Sequence, residues 1–297
     1  MFKLDNFKNV ERGDKIILYG PGAVGKSFSL ATILASLQEG RRFIYVMVEN
    51  NALGGLEAGL KHYKYTPKPG QLVIAYPEDT SKAFSNLNRA LKEYSKQNLA
   101  EAKRGDPKTN MNKDKYGYLS KIIECMESFT GVDPMTGEKV VIGNIGDLTA
   151  DDILAVDGLT PIVAEVWDSV TGDKIEKSEG DYMPAQQLLL SIFRNLEKIT
   201  CGVILLAHEQ PIFKTTIENG KEKVTEAGVK LHTGVGTANY ESLIGRFQEL
   251  IHCTGGVRYV WDTDGRNADA RTRKMPKGNM LTPDFAKYGL FGLPGKK

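Results

Sequence analysis

Residues 20–27 read GPGAVGKS, with Gly20 and Gly25 at the fixed glycine positions of a phosphate loop and Lys26 and Ser27 closing it. The chemistry served by this pattern is the grip on a nucleoside triphosphate. Backbone N–H groups must curl around phosphate oxygens with no Cβ in the way, and Gly20, Gly22 and Gly25 permit that. Lys26 can reach the β- and γ-phosphates as a point charge, and the Ser27 hydroxyl can ligate Mg²⁺. Pro21, Ala23, Val24 and Phe28 complete the run, so residues 20–28 are the expected binding segment, with ATP and Mg²⁺ as the expected ligands. A glycine-rich turn before an ordinary helix is the alternative.

Such a loop needs a strand before it and a helix after it. KIILYG (15–20) is short, apolar and β-prone, and SFSLATILASL (27–37) is apolar at helical spacing. Hydrolysis further needs a carboxylate near the Mg²⁺ and a base for the attacking water, both at the ends of neighbouring parallel strands. Four more runs have strand character: RRFIYVMVEN (41–50), QLVIAY (71–76), PIVAEVWDS (161–169) and CGVILLAHEQ (201–210). Asp168, at the end of the third, is the expected holder of Mg²⁺ through water, with Ser169 beside it. Glu49, at the end of the first, is the expected general base. His208, closing the fourth with Gln210 two residues on, is the expected contact to the γ-phosphate. The bland alternatives are a turn-capping Asp168, a solvated loop Glu49 and a rim histidine at 208.

With 26% charged and 41% apolar residues over 297 positions, the composition is that of an ordinary globular protein. No apolar run approaches membrane-spanning length and the N-terminal stretch is polar, which predicts no membrane contact and a cytoplasmic protein. Cys125, Cys201 and Cys253 are too widely spaced for a disulfide framework or a zinc site and are expected as reduced thiols. The net charge of +2 hides a segregation. Residues 82–121 carry ten Lys/Arg against four Asp/Glu, residues 266–297 eight against two, and residues 122–265 eleven against twenty-three. Each basic segment is either a solvated surface or a contact for a polyanion.

The order GPGAVGKS, FIYVMVEN, VAEVWDS and CGVILLAHEQ, followed by a helix-like ANYESLIGRFQELIHC (238–253) and a hairpin-like HCTGGVRYVWDTDGRNADARTRK (252–274), resembles the RecA-like ATPase superfamily. It is most similar to the phage-encoded RecA-like proteins of single-strand annealing and recombination. The resemblance implies an α/β fold: a RecA-like phosphate-loop NTPase core with a mostly parallel twisted sheet and a C-terminal β-hairpin. It implies ATP hydrolysis at the interface of a homo-oligomer, with a basic residue of the neighbour reaching the γ-phosphate. Arg271, Arg273 and Lys274 are the candidates, an ordinary basic tail being the alternative. A cytoplasmic site of action in a bacterial or phage-infected cell follows from the same likeness.

Family members bind single-stranded DNA through loops corresponding to 170–184 and 211–237. Here the first is acidic and the second, with four lysines against three acids, is nearly neutral, so counterion release would be small. The stretch 95–160 is longer than a connection between two strands requires. It reads as a largely helical insertion for a protein partner within a core made of 1–94 and 161–297, with helix-like 120–129 and 148–156 and a turn at DPMTGEK (133–139). Two other readings use the same site: a nucleotide-controlled assembly switch that binds a protein without DNA, and a hexameric translocase.

Overall fold

Lys15–Tyr19 forms β1, and all five residues are buried. Ile17 and Tyr19 face one apolar layer, Ile16 and Leu18 the other. A strand covered on both faces loses polar alternation, which is why KIILY reads as a continuous apolar run. The computed structural model describes residues 13–48, 53–75, 126, 128–171, 179–218, 221–233, 240–255, 258–265 and 268–295.

Eight further strands join β1 among the described residues: β2 (Arg42–Met47), β3 (Leu72–Ala75), β4 (Phe129–Val132), β5 (Lys139–Gly143), β6 (Asp152–Asp157), β7 (Gly202–Ala207), β10 (Glu249–Thr254) and β11 (Val260–Asp262). Their order is β11-β10-β1-β7-β6-β2-β3-β4-β5. The six strands from β10 to β3 run parallel, while β11, β4 and β5 are antiparallel to their neighbours. A separate two-stranded ribbon pairs β8 (Glu209–Glu218) with β9 (Lys221–Leu231). The helices are α1 (Lys26–Ser29), α2 (Ala31–Leu34), α3 (Leu53–His62), α4 (Leu159–Thr171), α5 (Glu179–Lys198) and α6 (Tyr240–Ile244). The chain is therefore α/β with a large, mostly parallel sheet.

Several expectations are corrected here. PIVAEVWDS is not a strand but lies in α4, because its buried positions, Leu159, Ile162, Val163, Val166 and Trp167, recur at helical spacing. The β-branched Val and Ile suggest a strand, but packing overrides that weak propensity. The strand expected there is β6, made from a stretch read as a short helix (148–156). From 126 to 160, the expected helical insertion supplies β4, β5 and β6, the last lying between β2 and β7, so these residues belong to the sheet. The turn at 133–139 does join β4 to β5, with Asp133 accepting from the N–H groups of Met135 (2.8 Å) and Gly70 (2.6 Å). Residues 95–125, including Cys125, and the whole of the basic 82–121 segment lie outside the described residues. The helix expected over 238–253 is short: α6 ends at Ile244 and β10 follows. The expected C-terminal hairpin is β10–β11.

Cys201 and Cys253 are free and buried, and burial pushes both thiols up to about 12. Among the described residues no helix is long and apolar enough to cross a membrane.

Candidate functional site

The chain leaves β1 into the loop at Gly20 and enters α1 at Gly25, which holds the left-handed conformation at φ 79°. A Cβ at Gly20 would overlap the carbonyl of Cys253 on β10, and one at Gly25 would overlap the Tyr259 ring. Both glycines are therefore fixed by close approach as well as by backbone geometry. Helix α3 lies against α1 through its own glycines. A Cβ at Gly55 would stand 2.9 Å from the Cβ of Ser27, and one at Gly59 would overlap the Phe28 carbonyl.

The loop borders a cavity of about 390 Å³. Residues 22–28 line it, with Gly55 and Ala58 of α3, Asp157 from the end of β6, His208 beyond the end of β7, and Tyr259. The parallel register explains this convergence: Asp157 stands opposite Met47 on β2 and Leu206 on β7, so the carboxyl ends of these strands share one edge. Lys26 donates from Nζ to the carbonyls of Gly20 (2.9 Å) and Pro21 (2.6 Å), which keeps its ammonium at the loop. Phe28 and Tyr259 meet edge to face with ring centroids 5.4 Å apart.

Ser27 Oγ donates to Asp157 Oδ2 at 2.7 Å, and the Tyr45 hydroxyl donates to the same oxygen. Because the Ser27 proton is committed to Asp157, the lone pairs of Oγ are left for a cation. Burial raises the Asp157 carboxyl above the usual carboxylate range, partly offset by the hydrogen bonds from Tyr45 and Ser27 and by the charges of Lys26 and His208. No cluster of three or more His, Cys, Asp or Glu fit for a metal occurs among the described residues. A hydroxyl backed by one carboxylate does fit Mg²⁺, which takes one or two protein ligands and completes its shell with phosphate oxygens and water.

The acid that the structure brings to Ser27 is thus Asp157, and Asp168 stands elsewhere. Asp168 is exposed on α4 and is not among the cavity-lining residues, and Ser169 donates to Val166 O (2.8 Å) within that helix. Asp157 carries a signal that could have found it: ILAVDG (153–158) is a short apolar run ending in an acid and a glycine. Glu49 lies outside the described residues, but Val48 N–H, just before it, donates to the Asp157 carbonyl at 2.8 Å. His208 is half-buried at the cavity, its N–H donating to Thr160 Oγ1 (3.1 Å) and its carbonyl accepting from His232 (3.0 Å).

The basic cluster divides. The Arg271 guanidinium donates to the carbonyls of Ile244 and Phe247, the latter at 3.3 Å, and the Lys274 ammonium pairs with buried Asp14. Arg271 is thus anchored within the chain, Lys274 is tied to Asp14 while its side chain stays 54% exposed, and Arg273 is exposed.

The segment expected as the second DNA loop is mostly ribbon. Its base is anchored by buried Leu231 and by Glu209, whose carboxylate lies 2.7 Å from His252 Nε2. Farther along, Phe213 and Val224 are 63% and 61% exposed. No protein-family model matches the sequence, and no curated protein matches it.

Proposed function

We propose that the chain is a Mg²⁺-dependent ATPase of the RecA-like kind, working as a homo-oligomer on single-stranded DNA. The observation that carries this reading is the Ser27–Asp157 hydrogen bond across the phosphate loop, 2.7 Å long between residues 130 positions apart. Strand order adds support: β7 separates β1 from β6, and β2, the strand leading to Glu49, pairs with β6.

In this reading the loop N–H groups and Lys26 hold the β- and γ-phosphates, and Phe28 with Tyr259 gives a purine ring an apolar wall. Ser27 would ligate Mg²⁺ and Asp157 would accept from a water of its shell, and the ion would supply positive charge against the charge that develops on the phosphates. Glu49 takes the proton of the attacking water. His208 contacts the γ-phosphate and, as the residue before β8, ties that contact to the ribbon. Arg273 of a neighbouring copy supplies positive charge at the γ-phosphate.

On the ribbon, Phe213 offers a stacking face and Lys214, the next residue and so on the opposite face, a cation; both are groups of the kind that single strands use. Exposed Phe213 and Val224 also suit a protein surface, which favours the assembly switch as a second reading. Two measurements test the proposal. Lys26→Ala should abolish ATP hydrolysis while the thermal midpoint stays put, and hydrolysis near the unmodified rate would end the ATPase reading. Fluorescence anisotropy of labelled single-stranded DNA should rise on addition of protein with a non-hydrolysable ATP analogue and fall with salt. No rise at low salt would remove DNA from the proposal and leave the switch.

A further inference from the structure

Tyr45 lies in the middle of β2, is fully buried, and donates its hydroxyl hydrogen to Oδ2 of Asp157. Its register partner on β6 is Ala155, whose methyl group leaves room for the ring, and Asp157 is the next residue on the same face, within diagonal reach of a phenol. Phe43, two residues earlier on β2, stacks on the ring at a centroid distance of 6.4 Å and an angle of 19°. The ring is therefore packed on its own account, and Phe would satisfy that packing. The buried hydroxyl needs a partner, and the Asp157 carboxylate accepts from it.

We propose that Tyr45 is a positioning residue for the metal-holding carboxylate. Together with Ser27 it saturates Oδ2, so that Oδ1 is the oxygen left to accept from metal-bound water. This inference rests on the ATPase reading and deepens it. Outer-shell donors to metal-holding groups commonly change metal affinity by about 10–100-fold when removed. A phenol with a purely structural role would change stability and leave metal affinity alone.

The test measures Mn²⁺ binding to the full chain saturated with a non-hydrolysable ATP analogue, read from the electron paramagnetic resonance of free Mn²⁺. Tyr45→Phe should weaken Mn²⁺ about tenfold or more, while affinity for a fluorescent ATP analogue in EDTA stays within about twofold. Unchanged Mn²⁺ affinity in Tyr45→Phe, alongside a clear loss in Asp157→Asn, overturns the positioning role and leaves the ATPase reading standing. Failure of the unmodified protein to bind nucleotide or Mn²⁺ overturns that reading, and the positioning role with it. Should Tyr45→Phe not fold, 3-fluorotyrosine placed at position 45 keeps ring and hydroxyl. Its fluorine resonance should then move when Mg²⁺ is added to the nucleotide complex, and an unmoved resonance overturns the proposal.

Discussion

Replacing Asp157 by Asn removes a charge while keeping the size of the side chain and an oxygen that accepts from Ser27 and Tyr45. Two hydrogen bonds to a carboxylate become two to an amide oxygen. The hydrogen bond from metal-bound water to Asp157 would lose its charge assistance with the carboxylate's charge, about 1–2 kcal/mol, or about 5–30-fold in Mg²⁺ affinity. That overlaps the range of about 10–100-fold expected for an outer-shell metal partner. The Mg²⁺ concentration for half-maximal hydrolysis should therefore rise by that factor. Stability of the ligand-free protein should move the other way. Burial holds the folded carboxyl above its unfolded value, so at neutral pH the ionised group costs stability, and this cost is relieved as pH falls through the folded pKa. Asn carries no such cost, so its thermal midpoint should exceed that of the unmodified protein at neutral pH, by about 2–4 °C for each kcal/mol recovered. The gap should narrow as the buffer is acidified. Asp168→Asn, on the exposed face of α4, should leave hydrolysis and its Mg²⁺ dependence unchanged. An Asp157→Asn protein with ordinary Mg²⁺ dependence, or an Asp168→Asn protein that loses turnover, would refute the assignment.

Glu49→Gln should bind nucleotide normally while turnover falls by about 10²–10⁴-fold, as expected when a positioned base is lost; single-turnover hydrolysis checks this. Gly25→Ala should lose nucleotide binding, because the left-handed backbone costs about 1–2 kcal/mol and the new methyl meets the Tyr259 ring; adding Tyr259→Ala should relieve the second effect only, as equilibrium binding would show. Arg271→Ala should lower stability by about 1–3 kcal/mol, since two carbonyls lose a buried donor, whereas Arg273→Ala should leave the melting curve alone and reduce specific activity. Mixing Arg273→Ala with Lys26→Ala should restore part of the activity in co-assembled protein, and no recovery would leave Arg273 in an ordinary basic tail.

Some of this protein is written in consecutive residues. The phosphate loop is one such part, because the curl of its backbone depends on glycines at fixed spacing and on the strand and helix beside it. Strands β1, β2, β3 and β7 are another, since a parallel strand buried on both faces must be an unbroken apolar run. The acid that meets Ser27 was not singled out in that way. ILAVD and VAEVWD both lead β-branched residues into an aspartate, and only burial on α4 shows the second to follow a helical period. What brings Asp157 to Ser27 is the register of β6 between β2 and β7, a long-range pairing with no local trace. The basic cluster makes the same point over four residues. Arg271 turns inward because its backbone pairs with Leu250 and its guanidinium finds the carbonyls of Ile244 and Phe247, while Lys274 stays exposed yet is tied to buried Asp14. Which of these cations turns inward and which is tied at the surface was decided by partners more than twenty residues away, because a side chain's direction follows the packing around it and not its place in the chain.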